Sequence, residues 1–327
     1  MARAGEFEVI ARYFAPLAKD YPLAFGLSDD AALIRPPPGH EIVVTTDCMI
    51  AGHHFFADDP PQRIAQKLLR VNLSDLAAMG ATPIGYMLAS AWRDDTTEAW
   101  IAAFADGLKR DQATYGVSLI GGDTVLTDGP LTFTVTAFGY IADGKALRRN
   151  GARVGDSVFV SGSIGDAELG LRCRMGEIVG LAPGIVRYLL DRHQLPEPRV
   201  SLGRKLVGIA SAAIDVSDGL VADLGHICAA SGVDAVIRLA DVPRSPAAAS
   251  VLAVTEDTLS AVAGGDDYEL CFTAPAHDAV LVTAAANAAG VPVQRIGEVI
   301  GQGPGHVQVL DLGGRPIHLE RQGFTHF

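Results

Sequence analysis

Cysteine is scarce and scattered in this chain of 327 residues: Cys48, Cys173, Cys228 and Cys271 stand alone, with no paired spacing. That pattern offers neither a zinc site nor a disulfide framework, and it fits a reducing cytoplasm. No apolar run is long enough to span a membrane. The start, from Met1 to Glu8, lacks the apolar core of a signal peptide, so a cytoplasmic location is expected. Positive charge is in deficit. Lys and Arg number 26 against 38 Asp and Glu, a formal net charge of -12. A surface of that sign argues against nonspecific binding to nucleic acid or anionic membrane, and suits a site that recruits divalent cations. Three nucleotide and hydrolase signatures are also missing: the Walker-type phosphate loop, the dinucleotide fingerprint and the Gly-x-Ser-x-Gly nucleophile elbow.

What is present is a globular composition, 49% hydrophobic and 20% charged, over a length that suits two domains. Glycine is abundant at 36, as expected where loops bring backbone close to a ligand. Leu68, Leu69, Leu73, Leu76 and Met79 recur at helical spacing, with Asn72, Ser74 and Asp75 set among them. A carboxylate that stays ionised in such a run needs a cation or several donors beside it; otherwise it caps the helix or faces water.

In chain order, Glu6 to Leu17 reads as a short amphipathic helix. Asp29 and Asp30 precede an apolar stretch, Ala31 to Ile34, expected as a strand. Glu41 to Thr46 reads as a β-branched strand ending at Asp47. A helix is expected over Trp92 to Tyr115, then a strand from Gly116 to Ile120 that ends in a Gly121-Gly-Asp-Thr124 turn. Leu131 to Tyr140 alternates as a half-exposed strand. Arg148 and Arg149 sit in a loop, where a guanidinium could bind phosphate or simply face water. The boundary between two α/β domains is placed here, giving residues 1–150 and 151–327. Beyond it come a strand over 155–162, a helix from Asp166 to Met175 and a less regular, proline-rich segment from Ala182 to Pro198. Ala212 to Asp215 is a strand leading into a helix, with Ser217 or Asp218 as its N-cap. Gly264-Gly-Asp-Asp267 then repeats the Gly-Gly-Asp device of the first half.

Asp30, Asp47, Asp75, Asp123, Asp215 and Asp218 therefore recur at expected strand ends and helix starts. Carboxylates that converge without metal repel and protonate; with magnesium and phosphate oxygens they become ligands, the combination of phosphoryl transfer.

The ordered set of motifs resembles the thiamine-monophosphate kinase family, in the superfamily of aminoimidazole-ribotide synthetase and selenophosphate synthetase. It comprises Ser28-Asp-Asp-Ala-Ala, Thr45-Thr-Asp-x-x-x-x-Gly-x-His54-Phe, Val71-Asn-Leu-Ser-Asp-Leu-Ala-Ala-Met-Gly-Ala, Gly121-Gly-Asp-Thr, Asp215-Val-Ser-Asp-Gly-Leu and Gly264-Gly-Asp-Asp-Tyr-Glu-Leu-Cys-Phe. The resemblance implies an α/β (α+β) two-domain synthetase-like fold. The N-terminal domain would bind ATP and magnesium and form a dimer interface; the C-terminal domain would complete the phosphate and substrate site. It implies ATP-dependent phosphorylation of thiamine monophosphate to thiamine diphosphate, by direct transfer, in a homodimer. By motif, Asp30, Thr45, Thr46, Asp47, Asp75, Asp123, Asp215 and Asp218 would serve several magnesium ions. Gly122, Asp123, Arg149 and Ser217 would serve ATP, and His54, Asp266 and Phe324 the substrate. Ser28 stands where the family commonly has Gly, and Phe324 where Tyr or Trp is frequent. Another synthetase of the superfamily, or a nucleotide- or metal-binding module without catalysis, are the alternatives. A selenophosphate synthetase is expected to carry a reactive Cys or Sec in an N-terminal glycine-rich loop, and a maturation protein of this fold a functional C-terminal Cys; none of the four Cys sits in such a loop, and the chain ends in Phe327.

Overall fold

The computed structural model describes residues 5–255, 260–317 and 323. Phe324 lies outside them. The chain forms two compact α/β units: residues 1–76 with 81–143, and residues 77–80 with 144–327.

The first unit opens with α1 (Glu6–Val9), a π-helical Ile10–Phe14 and a 3-10 turn Ala15–Ala18, so the expected N-terminal helix is present with mixed winding. Its sheet holds β1 (His40–Ile50), β2 (Thr82–Trp92), β3 (Ser118–Leu126) and β4 (Thr132–Ala142), in the order β1-β4-β2-β3. β2 and β3 are parallel, the other pairs antiparallel. Helices α2 (Pro61–Ala78) and α3 (Glu98–Tyr115) belong to the same unit up to Leu76. Leu68, Leu69, Leu73 and Leu76 of α2 are fully buried, as their spacing predicts. Arg70 reaches Asp111 of α3 at 2.6 Å, a charge-assisted tie between the two helices.

Four local expectations change. Ala31 to Ile34 forms no strand; Pro36, Pro37 and Pro38 follow at once and lack the N–H a ladder needs. Asp47 lies inside β1, not at its end, because the ladder to β4 continues to Ile50. Gly121 to Thr124 continues β3 instead of turning. The glycine serves a close approach: a Cβ on Gly122 would stand 2.0 Å from the Leu88 carbonyl oxygen of β2. Trp92 closes β2 and packs edge-on to Trp100, Phe104 and Phe133, while the helix begins only at Glu98, where the Thr97 side chain accepts the Trp100 N–H.

Among the described residues, the second unit is built on a seven-stranded mixed sheet, ordered β11-β10-β7-β9-β5-β8-β6. Its strands are β5 (Asp156–Ser161), β6 (Ala212–Asp215), β7 (Val233–Arg238), β8 (Leu270–Pro275), β9 (Val293–Gln302), β10 (Val307–Leu310) and β11 (Pro316–Ile317). Its helices are α4 (Asp166–Arg174), α5 (Pro183–Gln194), α6 (Val200–Leu206), α7 (Leu220–Ser231), α8 (Pro246–Thr255), α9 (Ser260–Ala263) and α10 (Ala279–Ala289). α5 occupies the segment expected to be irregular. Pro183 stands in its first turn, where no donor is missed, and Pro196 and Pro198 fall beyond its end. Ala77 and Ala78 join Leu202, Leu206 and Phe272 in one apolar cluster of this unit. The approach is tight: a Cβ on Gly203 would lie 1.9 Å from the Ala77 carbonyl oxygen.

Candidate functional site

β1 and α2 together make the first cluster. The Thr45 hydroxyl donates to an Asp75 carboxylate oxygen. Asn72 anchors the arrangement: its side-chain oxygen accepts the Asp47 N–H at 3.0 Å, while its amide donates to the Leu68 carbonyl at 2.9 Å. Burial, the Asp75 charge and a side-chain hydrogen bond to Asp75 push the Asp47 carboxyl up to about 6. Two acids in contact in a half-buried place favour sharing a proton or a cation. With the Thr45 hydroxyl they supply only hard oxygen donors, which is what magnesium prefers. This group fits the metal that the sequence implies.

A pH dependence follows. Asp47 in the folded protein holds its proton above the ordinary carboxyl value of 3.8, up to about 6. Its contribution to stability is full below the unfolded value and is lost as pH rises through the folded one. In chelator, the thermal midpoint should fall from pH 4 to 7 more steeply for the native chain than for Asp47→Asn. Parallel curves from scanning calorimetry would refute the shift.

The second cluster lies at β3. Asp30, Gly122 and Asp123 line one cavity of about 290 Å³, with Asp29, Ser90 and Thr124 adding polar groups and Ile10, Phe14 and Leu27 among its apolar ones. A polar end joined to an apolar pocket is the shape a nucleotide needs. Ser90 donates to the Asp123 carbonyl oxygen at 3.1 Å, and the Asp123 carboxylate accepts the Thr124 N–H. Gly122→Ala should lower stability by about 1–3 kcal/mol, the usual cost of overpacking, because its Cβ collides with Leu88. An unchanged melting curve would show that β2 and β3 can separate freely.

These two clusters are apart within one chain. β1 and β3 form opposite edges of the sheet, three strand spacings or about 14 Å from one another. The register also places Thr46 on the face opposite Thr45 and Asp47, where its hydroxyl meets that of Thr136 at 3.1 Å. His54 follows β1 in a turn; its Nδ1 accepts the Ile50 N–H at 3.1 Å, which leaves the proton of the neutral ring on Nε2.

In the second unit Asp215 ends β6, buried. The expected N-cap role of Ser217 or Asp218 falls instead to a residue further on. Gly219 occupies the cap position with φ 128, and the Asp223 carboxylate accepts the N–H groups of Ser217, Asp218 and Gly219 at 3.0, 3.1 and 3.1 Å. Burial and the neighbouring Asp218 charge raise the Asp223 carboxyl to about 7, against the pull of those three donors. Asp218, Asp223 and His226 bring ligand atoms within 4.8 Å of one another. Sequence reasoning missed Asp223 and His226; their i, i+3 spacing on one helix was the available signal. The Asp266 N–H donates to the Ser217 carbonyl at 2.9 Å, joining the Gly264 loop to the Asp218 loop. Arg149 lies in a loop whose own carbonyl accepts the Ser231 hydroxyl.

Two family models match, AIR synthase related protein N-terminal domain over 28–141 and its C-terminal domain over 153–310. The thiamine-monophosphate kinase of Salmonella typhimurium is 40% identical over 324 residues, 99% of this chain and 98% of that one. That of Caulobacter vibrioides is 42% identical over 325 residues, 98% of this chain and 90% of its own. The chain belongs to the thiamine-monophosphate kinase family. Family members are also its structural neighbours. The crystal structure of the Stenotrophomonas maltophilia enzyme superposes with a TM-score of 0.82 at 40% identity, covering 91% of this chain and 96% of that one. A structure described as AaThiL complexed with AMPPCP and TMP gives a TM-score of 0.77 at 28% identity, over 100% and 99% of the two chains. The hydrogenase maturation protein HypE, at 20% identity and a TM-score of 0.80, shares the fold. The mixed α/β, two-domain class implied by the motifs is the one this family has.

Proposed function

We propose that the chain transfers the terminal phosphoryl group of ATP directly to thiamine monophosphate, forming thiamine diphosphate, with several magnesium ions bound. The full-length likeness to thiamine-monophosphate kinases supports the substrate pair. The observation that carries the chemistry is the Asp47–Asp75 contact, two carboxylates that oppose each other unless a cation joins them. Asp47, Asp75 and Thr45 would hold one group of ions, Asp30 and Asp123 another, and Asp215 and Asp218 a third; Thr46 is assigned with them from its motif. When bound, magnesium neutralises phosphate charge and aligns the reacting oxygens. Gly122 presents bare backbone to the nucleotide, and Ser217 and Arg149 supply a hydroxyl and a guanidinium to its phosphates. His54 and Asp266 would orient the thiamine ester, and Phe324 would offer an aromatic face to its cationic ring. Product formation from ATP, magnesium and thiamine monophosphate, followed by chromatography, tests the reading; no thiamine diphosphate would end it.

The chain would work as a homodimer made through the N-terminal domain, residues 1–150, with residues 151–327 carrying the further phosphate and substrate residues. Two features support it. Val44 and Val125 leave 56% and 48% of their surface exposed on the face of the four-stranded sheet opposite α2 and α3. The two acidic clusters sit on opposite edges of that sheet, so a second copy set edge to edge would bring β1 of one chain to β3 of the other. Asp47→Asn and Asp123→Asn proteins, each inactive, should then regain about a quarter of native activity when unfolded together and refolded. A monomer with full activity in light scattering, or no regain on mixing, would refute this assembly.

A further inference from the structure

We propose that His193, buried on α5, is a positioning residue that sets the Asp266 carboxylate for the substrate. The proposal rests on the reading of Asp266 as a substrate residue. His193 Nδ1 lies 3.4 Å from Asp266 Oδ2, and the imidazole is 6% exposed while the Asp266 side chain is 34% exposed. One side of the carboxylate thus meets a fixed ring, and about a third of the side chain's surface is exposed.

The loop that carries Asp266 is held at every second residue. Asp267 is buried and accepts the N–H groups of Gly165 and Ala167 at 2.7 and 3.3 Å, at the start of α4. Glu269 is buried against Arg192 at 3.0 Å, Arg199 and the Ser161 hydroxyl. Asp266 and Tyr268, between and beside these anchors, take left-handed φ values of 68° and 50°. Non-glycine residues hold such a conformation only where the surroundings over-determine it, and they do so most often at ligand sites. The backbone of Asp266 is fixed on its other side by the Ser217 carbonyl.

His193 is fixed equally well. A Cβ on Gly170 would lie 2.1 Å from the Leu189 carbonyl oxygen and 3.2 Å from the His193 Cβ. The glycine therefore seats α5 directly on α4, with His193 at the crossing. Arg192, its neighbour, is bound to Glu269 of the same loop. The helix that carries the ring and the loop that carries the carboxylate are one assembly. Nδ1 and Oδ2 stand within ion-pair reach without a hydrogen bond between them; an Nδ1–H donated to Oδ2 would restrict the carboxylate's rotation. At 3.4 Å the pair makes no hydrogen bond in the free protein; contacts of this kind, long without ligand, tighten in the bound complex.

The test uses the full chain with four variants: His193→Ala, His193→Asn, Asp266→Asn and the pair His193→Ala with Asp266→Asn. Asparagine places its amide near the position of Nδ1, so it can restore the donor without the ring. His193→Ala should raise KM for thiamine monophosphate about 10-fold, with kcat and KM for ATP within about twofold of native. His193→Asn should recover most of that loss. The double variant should be no worse than Asp266→Asn alone, because His193 acts through it. A loss confined to kcat, additive effects in the pair, or failure of asparagine to rescue would overturn the proposal. So would unfolding of both His193 variants, which would assign the ring to packing. If Asp266→Asn itself leaves KM unchanged, the substrate reading of Asp266 fails; if it raises KM and His193→Ala does not, only the positioning role fails.

Discussion

Asp75→Asn should lower kcat by roughly 10²–10³-fold at saturating magnesium, the range seen when one preorganised electrostatic partner is removed from a transition state. The side chain keeps its shape and loses its charge. The surroundings predict a clean loss, because α2 is held by the buried Leu68, Leu69, Leu73 and Leu76, none of which the change touches. The Thr45 hydroxyl can still donate to the remaining amide oxygen. Asp47, freed of its acidic neighbour, should titrate closer to the ordinary carboxyl range. Melting behaviour in chelator should therefore be at least as good as native while turnover collapses. Normal turnover would remove Asp75 from the metal group and leave it as a helix-surface acid.

The second large effect concerns the acceptor. Thiamine monophosphate already presents an anionic oxygen, so its phosphorylation needs alignment and charge neutralisation but no strong base. Free thiamine presents a hydroxyl, and a positioned base is typically worth 10²–10⁴-fold for such an acceptor. In the acid-rich first unit, His54 accepts a backbone N–H at Nδ1, which commits its neutral Nε2 to donation. Free thiamine should thus turn over at least about 10²-fold more slowly than the monophosphate. Transfer from a chiral γ-phosphate should proceed with inversion, the mark of a single in-line displacement. Retention, or a phosphoenzyme that survives denaturation, would refute direct transfer; equal use of thiamine would refute the acceptor.

Sequence pattern carried much of this, and its failures have local causes. The α2 stripe, the alternation of β4 and the strand-to-helix junction at Asp215 were legible because burial and period agree there. The Gly-Gly-Asp segment was misread as a turn because a glycine chosen for a close strand looks the same as one chosen for a bend. α5 was hidden by prolines that flank a helix as readily as they break one. Among the site residues, Asp47 and Asp75 could be named from their setting, but their mutual contact depends on strand register. Asp223 and His226 escaped notice because an Asp inside a helix ordinarily faces water, whereas this one turns back to bind three N–H groups of the preceding loop.

The short piece Ala77–Gly80 has a bearing on inheritance. It is encoded in the middle of the first unit yet belongs to the second, whose apolar core takes Ala77 and Ala78. A gene cut between the codons of Asp143 and Gly144 would leave the downstream fragment without four residues of its own compact unit, two of them in its apolar core. Halves of related genes cannot be shuffled like beads at that seam. Any recombinant must match the tail of α2 to the α6 it fits, and with a carbonyl oxygen 1.9 Å from where a Gly203 side chain would begin, that match tolerates almost no drift. The two halves of the gene are bound to vary together at a place where a reader of domain boundaries would see no link.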